Sequence, residues 1–383
     1  MTPLGTLVQP VSKAGPDPDS PAFIYIDLSS VNSELKQVVA PSNVAVADAP
    51  SRARQRVRAG DILVSTVRPN LNGVAVVPEH LGDAIASTGF SVLRAKAELL
   101  DSRYLFQFVR SPNFVSQLVR RATGASYPAV SEGIVREVEI PLPPLPEQRR
   151  IAATLDRADE PRAKRRHALE LIHAIETALF ESSFLGGQWS TVLLSDLLAE
   201  PLRNGISPSA SGKHMGKVLT LSAITRGSFD ASAVKESTFA ALHDVRQTVR
   251  AGDFLICRGN GNKSMVGVGV LATETMPAVA FPDTIIAARL AECVVGAYLE
   301  AVWQRTEIRR QIESGARTTN GTYKVNQEVV NGIQVPLPPL DLQERFASAV
   351  TALSTVREKH HRHLVKLDEM FRALQAQLFG REP

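Results

Sequence analysis

Residues 129–145 read AVSEGIVREVEIPLPPL, and residues 324–340 read KVNQEVVNGIQVPLPPL. The second stretch repeats the first at an offset of 195 residues, with seven of seventeen positions identical, including the whole Pro-Leu-Pro-Pro-Leu run. A glutamine follows three residues later in each copy, at Gln148 and Gln343, and then a long helical pattern. Two copies in 383 residues make each repeat the size of a domain, so the chain is a duplicated module and not a solenoid of short units.

The duplication extends upstream of these segments. Residues 57–64 read VRAGDILV and residues 249–256 read VRAGDFLI, with six of eight positions identical. In both copies Gly-Asp followed by an apolar run predicts a turn that enters a buried strand. Further matches are Tyr104 with Tyr298 and Gln117 with Gln311. Other predicted elements are return strands at 73–77 and 266–271, helical stretches at 99–121 and 295–313, and final strands at 137–140 and 332–335, ended by the proline run.

A heptad pattern follows each proline run and predicts two long amphipathic helices. Because an apolar seam is not stable in water, each helix needs a partner, and an approximate two-fold relation would make the pair antiparallel. Pro161 is expected to kink or break the first helix, which would then begin after it or bend there. The seam positions are Ile151, Leu155, Ala158, Arg162, Arg165, Leu169, Ile172, Glu176, Leu179 and Ser183 in the first helix, and Phe346, Val350, Leu353, Arg357, His360, Leu364, Leu367, Phe371, Leu374 and Leu378 in the second.

These patterns predict an α+β fold in which two similar mixed α/β domains are separated by two long helices that form an antiparallel coiled coil. The predicted boundaries are a first mixed domain at 1–142, a first long-helix region at 143–186, a second mixed domain at 187–337 and a second long-helix region at 338–383.

Composition is that of a globular protein, with 44% hydrophobic and 21% charged residues and a net charge of +4. Two cysteines are too few for a disulfide scaffold, so a reducing cytoplasm is expected. No apolar run predicts a membrane span or a signal peptide. Known catalytic motifs, such as a Walker loop, Gly-x-Ser-x-Gly or His-Glu-x-x-His, are missing. The spacing of His360, His361 and His363 favours a solvated helix face over a metal site.

Two loops after the Gly-Asp strands share the pattern Arg-x-Asn-x-Asn. Arginine can bond guanine and asparagine can bond adenine in the major groove of DNA, and the alternative is that these residues simply form turns. The residues are Arg68, Asn70 and Asn72 in the first copy, and Arg258, Asn260, Asn262 and Lys263 in the second. Substitution of Arg258 by alanine is predicted to weaken the recognition made by the second copy and not that made by the first, by about 1–3 kcal/mol per lost bidentate contact.

A second pair of loops precedes the final strands and suits phosphate contacts, although such residues suit any surface turn nearly as well. The candidates are Arg121 and Tyr127 in the first copy, and Arg317, Thr319, Asn320, Tyr323 and Lys324 in the second. The loops differ between copies more than the frameworks do, so if they read something, the two halves read different things.

The layout resembles the specificity subunit of a Type I restriction–modification system. The resemblance covers essentially the whole chain and rests on PLPPLPEQRRIAATLD at 141–156, PLPPLDLQERFASAV at 336–350, and the two Gly-Asp strands. It implies a noncatalytic subunit that binds a bipartite double-stranded DNA target and docks two methyltransferase subunits and restriction/translocase subunits. S-adenosylmethionine, ATP and Mg²⁺ would be bound by those partners, and this chain would hold no cofactor or metal.

Two other functions are compatible with the sequence. A coiled-coil scaffold whose globular ends bind proteins would show no salt-sensitive affinity for DNA. An enzyme such as a nuclease would need a site that no motif marks, and metal-dependent cleavage by the isolated chain would reveal it.

Overall fold

The computed structural model describes residues 1–124, 127–241, 243–319 and 322–380. The chain divides into two compact units, Met1–Leu169 with Lys359–Pro383, and Glu170–Glu358. Each unit therefore combines one predicted domain with segments of both long helices. These helices span Leu145–Phe184 and Leu340–Phe379.

The described residues of the first unit form three sheets and four short α-helices in addition to the segments of the long helices. Its central sheet places the Gly-Asp strand between its two antiparallel neighbours. That sheet runs in the order Val8–Gln9, Phe90–Ala95, Ile62–Ser65, Val74–Val76, Gln37–Val38 and Val31–Asn32; the second in the order Ser42–Ala45, Ala22–Ile26, Ile85–Ser87 and Ala53–Arg56; and the third pairs Thr2–Pro3 with Glu139–Ile140. The helices are Leu4–Leu7, Ser102–Val109, Pro112–Val119 and Glu132–Glu137.

The second unit repeats this framework. Its Gly-Asp strand, Asp253–Cys257, again lies between two antiparallel neighbours that correspond to those of the first unit. The parallel pairing of Ala22–Ile26 with Ile85–Ser87 in the first unit corresponds to that of His214–Leu219 with Met276–Ala280 in the second. The sheets run in the order Arg203–Asn204, Ile285–Arg289, Asp253–Cys257 and Gly269–Leu271; Val234–Phe239, His214–Leu219, Met276–Ala280 and Thr248–Val249; Gly259–Asn260, Thr322–Lys324 and Arg317–Thr319; and Ser190–Leu193 with Gln334–Leu337. The helices are Gly296–Trp303, Thr306–Gly315 and Gln327–Asn331.

The two-domain α+β class is confirmed, and strands occur at the predicted places with different bounds. Glu137 ends a helix, so the final strand of the first copy is Glu139–Ile140 alone. In the second copy the final strand runs through Pro336 to Leu337, so the expectation that the proline run ends it is wrong there; a proline is tolerated in a strand that has a free edge.

The helical stretches at 99–121 and 295–313 each form two helices instead of one. In the first copy, the Ser111 hydroxyl caps a new helix whose first residue is Pro112, a position where a missing N–H costs nothing.

The long helices pack against each other with antiparallel register in both units. In the first unit, Arg162 Nε donates to Asp368 at 2.7 Å, and Arg165 lies 3.5 Å from His360 Nδ1. In the second, Arg357 donates to Glu176 at 2.8 Å. All twenty predicted seam positions are buried or half-buried, so the heptad prediction is confirmed and its polar middle forms ion pairs.

Pro161 neither ends nor starts a helix, because the first long helix continues from Leu145 to Phe184 with Pro161 inside it. The expectation that the helix begins after the proline is wrong. Pro161 and Arg157 are both exposed, so water can satisfy the Arg157 carbonyl group whose helical partner the proline removes.

In each copy two side chains fix the proline run to its own domain, and a third fixes the strand before it. The amide of Gln148 donates to the carbonyl oxygens of Leu99 and Pro143, and Gln343 repeats this with Cys293 and Pro338. The Tyr104 hydroxyl donates to Pro141 O at 2.8 Å. Tyr298 repeats the bond with Pro336, while Gln117 and Gln311 bond the backbone of the final strands. The repeated glutamines and tyrosines therefore anchor the start of each long helix.

Candidate nucleic-acid interface

The Gly-Asp motif is a structural anchor in both domains. Gly60 and Gly252 have φ of +82°, a left-handed conformation that favours glycine. The buried Asp61 carboxylate then accepts two bonds from Arg94, at 2.7 and 2.6 Å. Asp253 is fully buried and pairs with Arg203 and Arg289 at 2.5 and 2.6 Å. These ion pairs hold neighbouring strands together, and both carboxylates are buried, so neither faces solvent.

In the first domain the two predicted loops lie side by side. Val67 forms a bridge with Ala129, and the Arg68 amide donates to Pro128 O at 2.7 Å. The Arg68 guanidinium lies over the Tyr127 ring, 4.6 Å from its centroid. Both side chains are exposed, Tyr127 by 69%. A stacked Arg-Tyr pair on the surface offers a fixed cation and an aromatic face to a ligand.

Asn70 is also exposed, two residues after Arg68, whereas the predicted contacts Asn72 and Arg121 bond other residues of the first domain. Asn72 is half-buried: its Nδ2 donates to Arg110 O at 3.2 Å, and its Oδ1 is buried with no hydrogen-bond partner among the described residues. Arg121 forms an exposed ion pair with Glu137 at 3.2 Å. The structure therefore brings Arg68 and Tyr127 together, leaves Asn70 exposed and gives Asn72 a part in the loop's own folding.

In the second domain the two loops pair into a three-stranded ribbon. Gly259–Asn260 and Arg317–Thr319 flank Thr322–Lys324. Arg317 is directly opposite Lys324, so their exposed side chains lie on one face of the ribbon. For Thr319 the structure gives the strand position alone, and Asn320 lies outside the described residues.

The other predicted residues of this domain divide into exposed and inward-facing ones. Asn262 and Lys263 are exposed, and Asn262 Oδ1 caps the turn by accepting from Ser264. Arg258 is half-buried and donates to Asp283 O at 3.2 Å, while Asn260 Oδ1 accepts from the amide of Asn262 at 2.9 Å. Tyr323 packs on the hydrophobic core. Arg258 and Asn260 therefore hold the loops in place.

The ribbon, together with the 3₁₀ turn Lys263–Met265 that follows its first strand, carries uncompensated positive charge. Within the part of the chain that the structure describes, Lys263, Arg317 and Lys324 form no ion pair with a carboxylate. Like charges directly opposite each other destabilise a strand pair. An anionic ligand would remove that repulsion, and closely spaced cations on a backbone-paired ribbon suit a phosphate chain.

Sequence reasoning missed three residues at these loops. Leu71 is 56% exposed between the two asparagines of the first loop. Arg309 donates to the carbonyl groups of Val266 and Ser264 at 2.9 and 3.1 Å and so supports the second loop. Lys36 donates to Asn72 O at 2.6 Å. Arg309 and Lys36 are distant in sequence from the loops they hold, so no local pattern marks them.

Neither a metal site nor a membrane span is found in the described ranges. No group of three or more potential metal-ligating His, Cys, Asp or Glu side chains occurs there. The described helices include none that is both long and apolar enough to cross a bilayer.

Known proteins are similar to this chain in sequence and in fold. Residues 49–171 match the family described as Type I restriction modification DNA specificity domain. The Type I restriction enzyme EcoKI specificity subunit of Escherichia coli strain K12 is 22% identical over 326 residues, 79% of this chain and 70% of that protein. The StySPI specificity subunit of Salmonella potsdam is 20% identical over 309 residues, covering 74% and 66%.

A solved structure of a Type I restriction–modification S subunit from M. genitalium covers all of this chain and 96% of its own, with a TM-score of 0.53 at 13% identity. That likeness supports the fold alone. Together with the sequence matches, it confirms the predicted resemblance to Type I specificity subunits.

Proposed function

We propose that this chain, a relative of Type I restriction–modification specificity subunits, is a noncatalytic subunit that recognises a bipartite target in double-stranded DNA. The observation that carries the proposal is that two repeated frameworks present two different cationic surfaces. One surface is the Arg68-Tyr127 stack, and the other is the ribbon bearing Arg317 and Lys324. Each domain would read one half of the target, and the spacer helices would set the interval between the halves.

The partners follow from the same relationship. The matched proteins are specificity subunits of Type I restriction enzymes. By analogy, two methyltransferase subunits and restriction/translocase subunits would assemble on this chain. S-adenosylmethionine, ATP and Mg²⁺ would belong to those partners, and the chemistry would take place there.

Selection from a random duplex library tests this function. The full chain with its methyltransferase partner should select two short invariant motifs separated by a constant number of variable base pairs. A single motif, or motifs at variable spacing, would contradict bipartite reading. Binding that is insensitive to salt and shows no sequence preference would favour the scaffold function instead.

Replacing Lys324 by methionine should weaken DNA binding about equally for all sequences and reduce its salt dependence. Each phosphate neutralised contributes about −0.9 to the slope of log K against log salt, so the slope should become shallower by about one unit. Titration at several salt concentrations measures this. Lys13→Met is the matched control, because Lys13 is an exposed lysine that faces Glu132 at 3.8 Å. An unchanged slope for Lys324→Met would remove the ribbon from the interface.

A further inference from the structure

Lys36 is a half-buried lysine that contacts the loop at residues 68–73, called here the first reading loop, from another part of the first domain. It follows the strand Val31–Asn32, and its backbone amide donates to Asn32 O at 2.9 Å. Its Nζ donates to the carbonyl oxygen of Asn72 at 2.6 Å. Lys36 itself has φ of +58°, a conformation that non-glycine residues rarely adopt.

The loop that Lys36 contacts is also strained. Arg68 and Asn72 bracket a short 3₁₀ turn, Pro69–Leu71, and both are left-handed, with φ of +48° and +46°. Arginine holds such an angle only where its surroundings enforce it, whereas asparagine adopts it more readily. Here the enforcing contacts are Lys36 on Asn72 O, Asn72 Nδ2 on Arg110 O, and Arg68 N on Pro128 O.

The position is electrostatically unfavourable for a lysine. Burial, followed by the positive charges of Arg110, Arg166 and Arg162, lowers the pKa of Lys36 to about 8, and Asp159 opposes this only partly. At pH 7 the ammonium form still predominates. The neighbouring arginines disfavour a protonated lysine at this position, so the contact that accounts for Lys36 is its hydrogen bond to Asn72 O.

We propose that Lys36 is a positioning residue for specificity: by holding Asn72, it fixes the direction in which Arg68 and Asn70 face the DNA, without touching DNA itself. Arg110 extends the support, since its guanidinium pairs with Asp159 of the first long helix at 2.5 Å. The corresponding loop of the second domain, residues 258–263, is the second reading loop, and it is held differently, by the pairing of Gly259–Asn260 in the ribbon. This inference rests on the proposed function.

Lys36→Met tests the proposal, because methionine keeps most of the side-chain length and removes the donor. For the full chain with its methyltransferase partner, discrimination against altered bases in one half-site should fall about tenfold, the effect of one charged hydrogen bond. The other half-site should be read as before, and the salt slope should stay unchanged. Lys36→Arg, which keeps a donor, should restore at least part of the discrimination, and Lys13→Met should behave as wild type.

Three outcomes overturn the inference. Wild-type discrimination by Lys36→Met would show that the bond does not position the loop. A salt slope that becomes shallower by about one unit would make Lys36 a direct phosphate contact. Loss at both half-sites, with the thermal stability of the variant unchanged, would show that Lys36 does not act through the first loop alone. If the wild-type complex itself has no sequence preference, the proposed function fails first and the inference with it.

Discussion

Replacing Asp253 by alanine is expected to destabilise the second unit by about 3–5 kcal/mol, the range for breaking a buried ion pair from one side. Asp253 is fully buried and joins Arg203 and Arg289, which lie on different strands. Its carboxylate also accepts from the Arg250 amide at 3.1 Å and so closes the turn at Gly252. Removing it leaves a buried guanidinium, that of Arg203, without its counter-ion.

Urea denaturation, with hydrogen exchange of residues 253–257 to locate the effect, measures this loss. Glu313→Ala is the control: its pair with Arg309 is a surface i,i+4 contact at 3.6 Å, and its loss should cost about 0.3–0.5 kcal/mol. Equal stability of the two variants would show that the Gly-Asp motif is not the anchor described here.

Replacing Phe379 by alanine should destabilise the first unit by about 3–5 kcal/mol, as for other buried phenylalanines. Phe379, at the end of the second long helix, is 1% exposed. Its ring centroid lies 5.3 Å from that of Tyr104 and 5.5 Å from that of Phe108. Phe184 has the matching place in the second unit, 4.9 Å from Tyr298. The cavity left by Phe379→Ala would lie in the core that carries the first reading loops.

Hydrogen exchange should therefore accelerate in the helices Ser102–Val109 and Pro112–Val119. Met370 is 68% exposed on the same helix, so Met370→Ala should change stability by no more than about 0.5 kcal/mol. Unchanged exchange in Phe379→Ala would mean that the end of this helix contributes nothing to the first domain.

Much of the framework was predictable because its signals are periodic or repeated. The heptad seam follows from spacing alone, and the Gly-Asp strands follow from a turn residue before an apolar run. The expectation that the proline run ends the last strand holds in the first copy only, and the structure adds that Gln148 and Gln343 fix the run to the domain. These features depend on residues close together in sequence.

The reading loops were less predictable because their conformations depend on distant partners. The same Arg-x-Asn-x-Asn pattern forms a 3₁₀ turn flanked by two left-handed residues in one domain and the edge of a ribbon in the other. Asn72 and Arg258 point inward because backbone carbonyl groups from other elements accept their hydrogen bonds. The pattern alone carries no information on which asparagine or arginine remains free for a ligand.

The most direct test of the claim that each domain recognises its own half-site compares Arg68→Ala with Arg317→Ala on the selected DNA target. Each half-site is altered in turn, and the loss of affinity is measured for each variant. Arg345→Ala, an exposed arginine on the second long helix, is the control. We expect the affinity loss caused by Arg68→Ala, about 1–3 kcal/mol for a base contact, to depend on one half-site, and the loss caused by Arg317→Ala, through a phosphate contact, to depend on the other. Loss at the same half-site in both variants, or equal loss at both half-sites, would contradict the account.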